Sequence, residues 1–249
     1  MIKKLCLVFF MGISLAVAGE TTMPGDAEVL YKTALELFEA RHLDKENAVK
    51  AKEIAEQILE KEPENVKAIV LVSRYYVFCG ENMKTDDERR VTYEKGVEYA
   101  KKALKLNDKS ADAHFYYAAG LGRCAQLKGI FNAIGSAGEI KKEFEVTLTL
   151  DPKHPIAKVA LANYYYQVPG LFGGSTEKAI ELLKESMVAH PNLTMAYVDL
   201  ARVYKNQGKK KEAIELLEKV IENKTPALEA NYHLYDKKDA EGLLKELSK

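Results

Sequence analysis

The chain has 249 residues, and its 37 Lys and Arg balance 37 Asp and Glu. Zero net charge argues against a nucleic-acid binder held by bulk positive charge, which needs a basic surplus or stripe. Apolar residues make up 47% and charged ones 30%, enough of each for a packed core under a soluble surface, so disordered, collagen-like and linker-rich classes are excluded as well.

The first 18 residues read as a secretory signal peptide. Lys3 and Lys4 precede an apolar run over 5–17 that only Ser14 interrupts, and Ala16-Val17-Ala18 offers the small residues that a signal peptidase needs. The run is shorter than the roughly 20 residues of a membrane span, which favours cleavage after Ala18, with an uncleaved anchor as the alternative. Cleavage leaves 35 positive against 37 negative charges and predicts a periplasmic or secreted protein with no membrane span. Residues 19–26 read as a flexible N-terminus.

Over 27–225 a helical phrase with small residues at fixed places recurs, ending in Asp, Asn or Pro. The first copy is degenerate, with Ala34, Leu37, Ala51, Ala55 and Ile58 at helical spacing. Aligning Pro63, Asp108, Pro152, Pro191 and Thr225 gives spacings of 45, 44, 39 and 34 residues. The excess over the shortest falls inside three successive units, as insertions at 81–90, 128–138 and 168–175. Insertions at one point of a repeat either lengthen its helices or project from one face, often a binding face. In the third, Pro169, Gly170, Gly173 and Gly174 prevent helix continuation, and Ser175 is the expected N-cap of a helix opening at Thr176. Leu171 and Phe172 are expected to fold back onto Ile130, Phe131 and Ile134, either as packing or as a pocket that also includes Tyr166. Residues 226–249, introduced by Thr225-Pro226 as N-cap and first helical residue, read as two short capping helices. No strand-period stretch occurs. The predicted fold is an all-α solenoid of about five helical hairpins plus a C-terminal cap.

The last unit carries a family pattern. Counting Thr194 as position 1, Tyr197, Leu200, Ala201, Tyr204, Gly208, Ala213 and Leu217 occupy positions 4, 7, 8, 11, 15, 20 and 24, and Thr225 stands where a Pro is usual. In this the chain resembles tetratricopeptide repeat (TPR) proteins. The resemblance implies a concave groove lined by the first helix of each hairpin. Its aromatic wall would come from Tyr31, Phe38, Phe78, Phe115 and Tyr166, and its cations and amides from Arg74, Arg123, Asn163, Gln167, Arg202, Lys205 and Asn206. Such a surface suits a protein or peptide partner, although half of the aromatics could simply pack between units. Arg74 and Arg202 are expected to be dispensable for folding. The carboxylate clamp of chaperone-binding members is not reproduced, with Val70 and Arg74 at two of its positions. The third insertion is also similar, through Pro169, Leu171, Gly173, Gly174, Glu177, Lys178 and Ala179, to the TPR-built T component of TRAP-type transporters, which implies a ligand-binding accessory subunit. The stretch 139–191 is similar to the TPR region of eukaryotic regulators of microtubule dynamics, although a signal peptide argues against a cytosolic role of that kind.

Catalytic chemistry finds no constellation. The five histidines are scattered, and His154 and His190 each precede a Pro in a turn. No Cys/His/Asp/Glu spacing suits zinc, and Ser73 and Ser186 fall at small-residue positions. Cys79 and Cys124 hold equivalent places in consecutive units, a helix-packing distance of roughly 8–10 Å, too far apart for a disulfide. The sequence therefore predicts a non-enzymatic exported scaffold without metal or cofactor, binding a protein or peptide in its groove and insertions. A small anionic or apolar ligand is the second candidate.

Overall fold

A computed structural model describes residues 24–128 and 130–248, with side chains throughout except at 24, 128 and 130–134. The expected signal peptide at 1–18, most of the expected flexible N-terminus, and the side chains of Ile130, Phe131 and Ile134 lie outside the described residues.

Among the described residues, every regular element is helical. Consecutive helices pair as α1 (Pro24–Glu39) with α2 (Glu46–Lys61), α3 (Val66–Cys79) with α4 (Asp86–Leu106), α5 (Ala111–Lys128) with α6 (Ile130–Leu150), α7 (Ala157–Gln167) with α8 (Thr176–Ala189), and α9 (Thr194–Asn206) with α10 (Lys210–Glu222). A one-turn α11 (Glu229–Asn231) then runs through a π-turn (Tyr232–Asp236) into α12 (Lys237–Leu247), which packs on α10. Five hairpins and a cap make the α-solenoid that the repeat pattern predicts.

Local sequence explains where the helices start. Asn65 accepts the Ala68 amide at 3.1 Å to cap α3. Thr85 and Glu88 form a reciprocal capping box on α4. Ser175 accepts the Lys178 amide at 3.2 Å on α8, as the sequence predicts. Small residues sit where paired helices cross, and Ala51, Ala55, Ala100, Ala103 and Ala213 are fully buried. In the second hairpin, Ser73 donates its hydroxyl to the Gly96 carbonyl at 2.7 Å. A Cβ on Gly96 would stand 2.9 Å from the Val77 methyl, so the approach of α3 to α4 requires glycine.

The insertions behave differently from one another. The first two are largely absorbed into helix, giving α4 and α6 21 residues each against 13 in α10. The third makes the longest loop, with a 3-10 turn (Gly170–Phe172) and Gly173 at φ 96°. The cap also departs from expectation. Thr225-Pro226 opens no helix, because Asn223 accepts the Thr225 amide at 2.9 Å and Ala227 donates to the Asn192 carbonyl at 2.9 Å. These bonds hold the segment as a loop against the preceding unit until Glu229.

Candidate functional site

The first helices of neighbouring hairpins pack on each other, α1 on α3, α3 on α5 and α7 on α9, so they form the inner face of the curve. Between α5 and α7 that seam opens, and a cavity of about 380 Å³ fills the gap. Its walls are mostly apolar. They include Phe78 and Val77 of α3, Phe115, Ala118 and Gly122 of α5, Ile140 and Phe144 of α6, Val159 and Ala160 of α7, and Met195 of α9. Arg123, Gln126, Asn163 and Gln167 supply the polar lining, and Val168 and Pro169 bring in the base of the third loop.

The residues expected to line one groove divide into three groups. Phe78, Phe115, Arg123, Asn163 and Gln167 do line the cavity. Arg123 is paired with Glu81, and Gln126 donates to Gln167 at 3.0 Å, so the polar side is already ordered.

The second group is structural, at the N-terminal end. Phe38 is fully buried and meets Phe78 edge-on at 6.1 Å. Arg74 lies 4.4 Å over the Phe38 ring and pairs with Glu39 at 2.5 Å. Tyr31, half-buried, lies under Lys67 at 5.5 Å. Arg41, which the repeat pattern does not mark, is buried over both Phe38 (4.7 Å) and Phe78 (5.4 Å). Burial works against its charge.

The third group is held by the cap. Arg202 bonds Asp199 at 2.7 Å and also pairs with Asp239 of α12. Lys205 pairs with Glu246, and Asn206 donates to the Tyr166 hydroxyl. Asp199 also accepts from Asn163 at 2.8 Å, and burial raises its pKa. Arg74, Arg123, Arg202 and Lys205 are thus each paired with an acid of this chain.

The expected insertion cluster lies partly outside the described residues. Leu171 is 89% exposed and Phe172 46%, so neither joins a buried cluster, and the Phe131 side chain lies outside the described residues. A Cβ on Gly174 would overlap the Val168 carbonyl, and Ser175 donates its amide to the Tyr165 carbonyl at 2.8 Å. The loop base is fixed while its tip points outward. No disulfide joins Cys79 to Cys124. His154 is buried with its ring tilted against Phe115 at 4.7 Å, and its Nε2 lies 3.2 Å from Asp112. Among the described residues no group of three His, Cys, Asp or Glu is placed to hold a metal, and no helix is long and apolar enough to cross a membrane.

Several cavity residues were missed by repeat-position reasoning. A signal existed in the run of small residues Ala118, Ala119, Gly122 and Ala125 on one side of α5, wider than a single helix crossing needs.

Comparison with known proteins places this architecture. The family model for regulator of microtubule dynamics protein 1-3 matches residues 30–173, more than half of the chain. The chain belongs to that family. The match begins in α1 and ends in the third loop, so it takes in the cavity lining except Met195 and starts far upstream of the 139–191 likeness read from sequence. Regulator of microtubule dynamics protein 3 of Bos taurus is 25% identical over 167 residues, 61% of this chain and 36% of that protein. Protein 1 of Homo sapiens is 35% identical over 69 residues, 28% of this chain and 22% of that protein. The matches span about a third or less of these relatives' length.

Among solved structures, TTC0263, a thermophilic TPR protein of Thermus thermophilus, superimposes with a TM-score of 0.66 at 14% identity, over 88% of this chain and 99% of that one. PilW, a type IV pilus biogenesis factor, does so with a TM-score of 0.56 at 20% identity, over 91% and 94%. These likenesses establish the TPR fold.

Proposed function

We propose that this member of the family is a non-enzymatic protein-interaction scaffold, exported from the cytosol, that holds an apolar segment of a partner protein in the cavity between α5 and α7. The observation that carries this reading is the cavity itself: about 380 Å³, walled by aromatic and aliphatic side chains, and edged by the amides of Gln126, Asn163 and Gln167. Such a shape buries apolar anchors while amides fix their orientation. With the four groove cations already paired in cis, recognition rests on shape and apolar burial and not on an acidic tail.

Peptide selection tests this. Random peptides displayed on phage and selected on the full chain are expected to be rich in apolar and aromatic residues. They should lose binding at least about tenfold on Ala160→Phe, which fills the space. Selection that yields only peptides indifferent to Ala160→Phe would remove the cavity from the account.

A second reading, a small-molecule accessory like the transporter T component, draws on the cavity's contact with Val168 and Pro169 of the third loop. An apolar molecule released on denaturing the purified protein, and absent from Ala160→Phe, would favour it over the peptide reading.

The relatives are named for regulating microtubule dynamics. Under our reading the scaffold passes to this chain and the microtubule does not, because Lys3, Lys4 and the apolar run at 5–17 direct it to the secretory route. A mature chain beginning at Gly19 is expected from N-terminal sequencing, whereas an intact Met1 in a cytosolic fraction would refute export.

A further inference from the structure

The cap does more than shield the last hairpin. Asn231 is buried and accepts a hydrogen bond from the Arg41 guanidinium, across 190 residues of chain. Beside that bond, His42 and His233 stack at 5.0 Å with an interplanar angle of 11°. The loop between α1 and α2 is therefore in contact with α11 and its π-turn, so the curved stack closes into a ring.

The bridge lies against the cavity's edge. Arg41 covers Phe78 and Tyr235 feels the charge of Arg123, and both Phe78 and Arg123 line the cavity. The far end of the segment is held by Thr194, which donates to Asp236 at 2.7 Å and neighbours the cavity residue Met195.

Its two attachments are unequal. Toward α9 and α10 the cap has continuous packing, with Tyr232, Ala240 and Leu247 buried in the core. Toward the α1–α2 loop it has a hydrogen bond, one ring stack and the neighbourhood of Arg41, and His233 is exposed. The Arg41 Nε–H and the His42 Nδ1 are buried there, and no protein group among the described residues bonds them. A π-turn at this point is the kind of local irregularity that accompanies moving or functional segments.

We propose that Asn231–Asp236 is a releasable strap: it closes the ring against the α1–α2 loop, and its detachment there, with the cap still seated on α10, opens the inner face to a partner. The last clause rests on the reading of the cavity as the partner's site; the strap itself does not.

The Cys79 thiol reports on the strap. It is half-buried at the end of α3, beside Arg41 and Tyr235, and burial pushes its pKa up to about 11. Detachment would expose it and restore thiolate character, so alkylation would accelerate. Cys124, buried on α5, is the internal reference.

The experiment is iodoacetamide labelling of the full chain, resolved by peptide mass, in wild type, His233→Ala and His42→Ala. Both substitutions act at the half-open stack and leave the Arg41–Asn231 bond in place. Cys79 is expected to react about tenfold faster in each variant, with Cys124 unchanged, as local opening predicts. Unchanged Cys79 in both variants would show that the stack holds nothing shut. Equal acceleration of Cys124 would show that the strap detaches only when the core unfolds. Either result overturns the proposal. Labelling reads the strap without any ligand, so failure of the peptide selection would count against the cavity and not against the strap.

Discussion

Arg74 and Arg202 occupy matched places on inner helices, and both spend their charge inside the molecule. Arg74 stacks on Phe38 and bonds Glu39, so truncation removes a cation–π contact, a charged hydrogen bond and the packing of its stem. Arg74→Ala is expected to cost about 2 kcal/mol in urea denaturation, in contrast to the near-zero cost that a groove-surface arginine would show. Arg202→Ala would leave Asp199 buried with Asn163 as its remaining partner, again at a cost of about 2 kcal/mol. Phe172 behaves oppositely. At 46% exposure on the loop tip, Phe172→Ala should change stability by less than about 1 kcal/mol; a loss of several would mean that the tip packs on the start of α6.

Among elements, the cap has a hold that depends on acidity. Asp236 is buried, and burial raises its pKa from 3.8 to about 6 despite the bond from Thr194 and the attraction of Arg202. Between pH 4 and 6 the folded chain keeps a proton that the unfolded chain has lost. Its contribution to stability is therefore complete below about pH 4 and lost as pH rises through 6, a difference of about 3 kcal/mol. Asp236→Asn can still accept from Thr194 and carries no charge at any pH. The gap in stability between it and wild type should widen from pH 4 to 7 in the variant's favour. A gap that stays constant would place Asp236 in water.

The same element shows where sequence reasoning ends. The α9–α10 hairpin, the Ser175 cap and the third loop were legible, because each depends on residues within one repeat: the small buried Ala201 and Ala213, Gly208 at φ 74°, Ser175 on Lys178. The strap was not. Asn231 meets Arg41 only because of the curvature accumulated over five hairpins, and no local pattern encodes that sum. The gap between α5 and α7 was half legible. The insertion at 128–138 stood out by length, but it runs into α6, and the α7 and α9 walls of the cavity lie far from it in sequence.

For the whole molecule, solenoids of this kind are ordinarily sums of nearest-neighbour contacts. Contact of the first hairpin with the cap changes that arithmetic. A linear stack frays from its terminal repeats, and its melting broadens as units detach one by one. Here the two terminal units protect each other, so thermal melting followed by circular dichroism and by amide exchange in α1 and α12 is expected to give one coincident transition. Early loss of protection in α1 alone would show that the ends melt independently. Closure also has a kinetic signature, since the final contact must wait for a loop of 190 residues, at an entropic cost that grows only with the logarithm of its length. Refolding should therefore show a late step, absent from a chain lacking the His42–His233 stack, in which an already helical arc finds its own beginning.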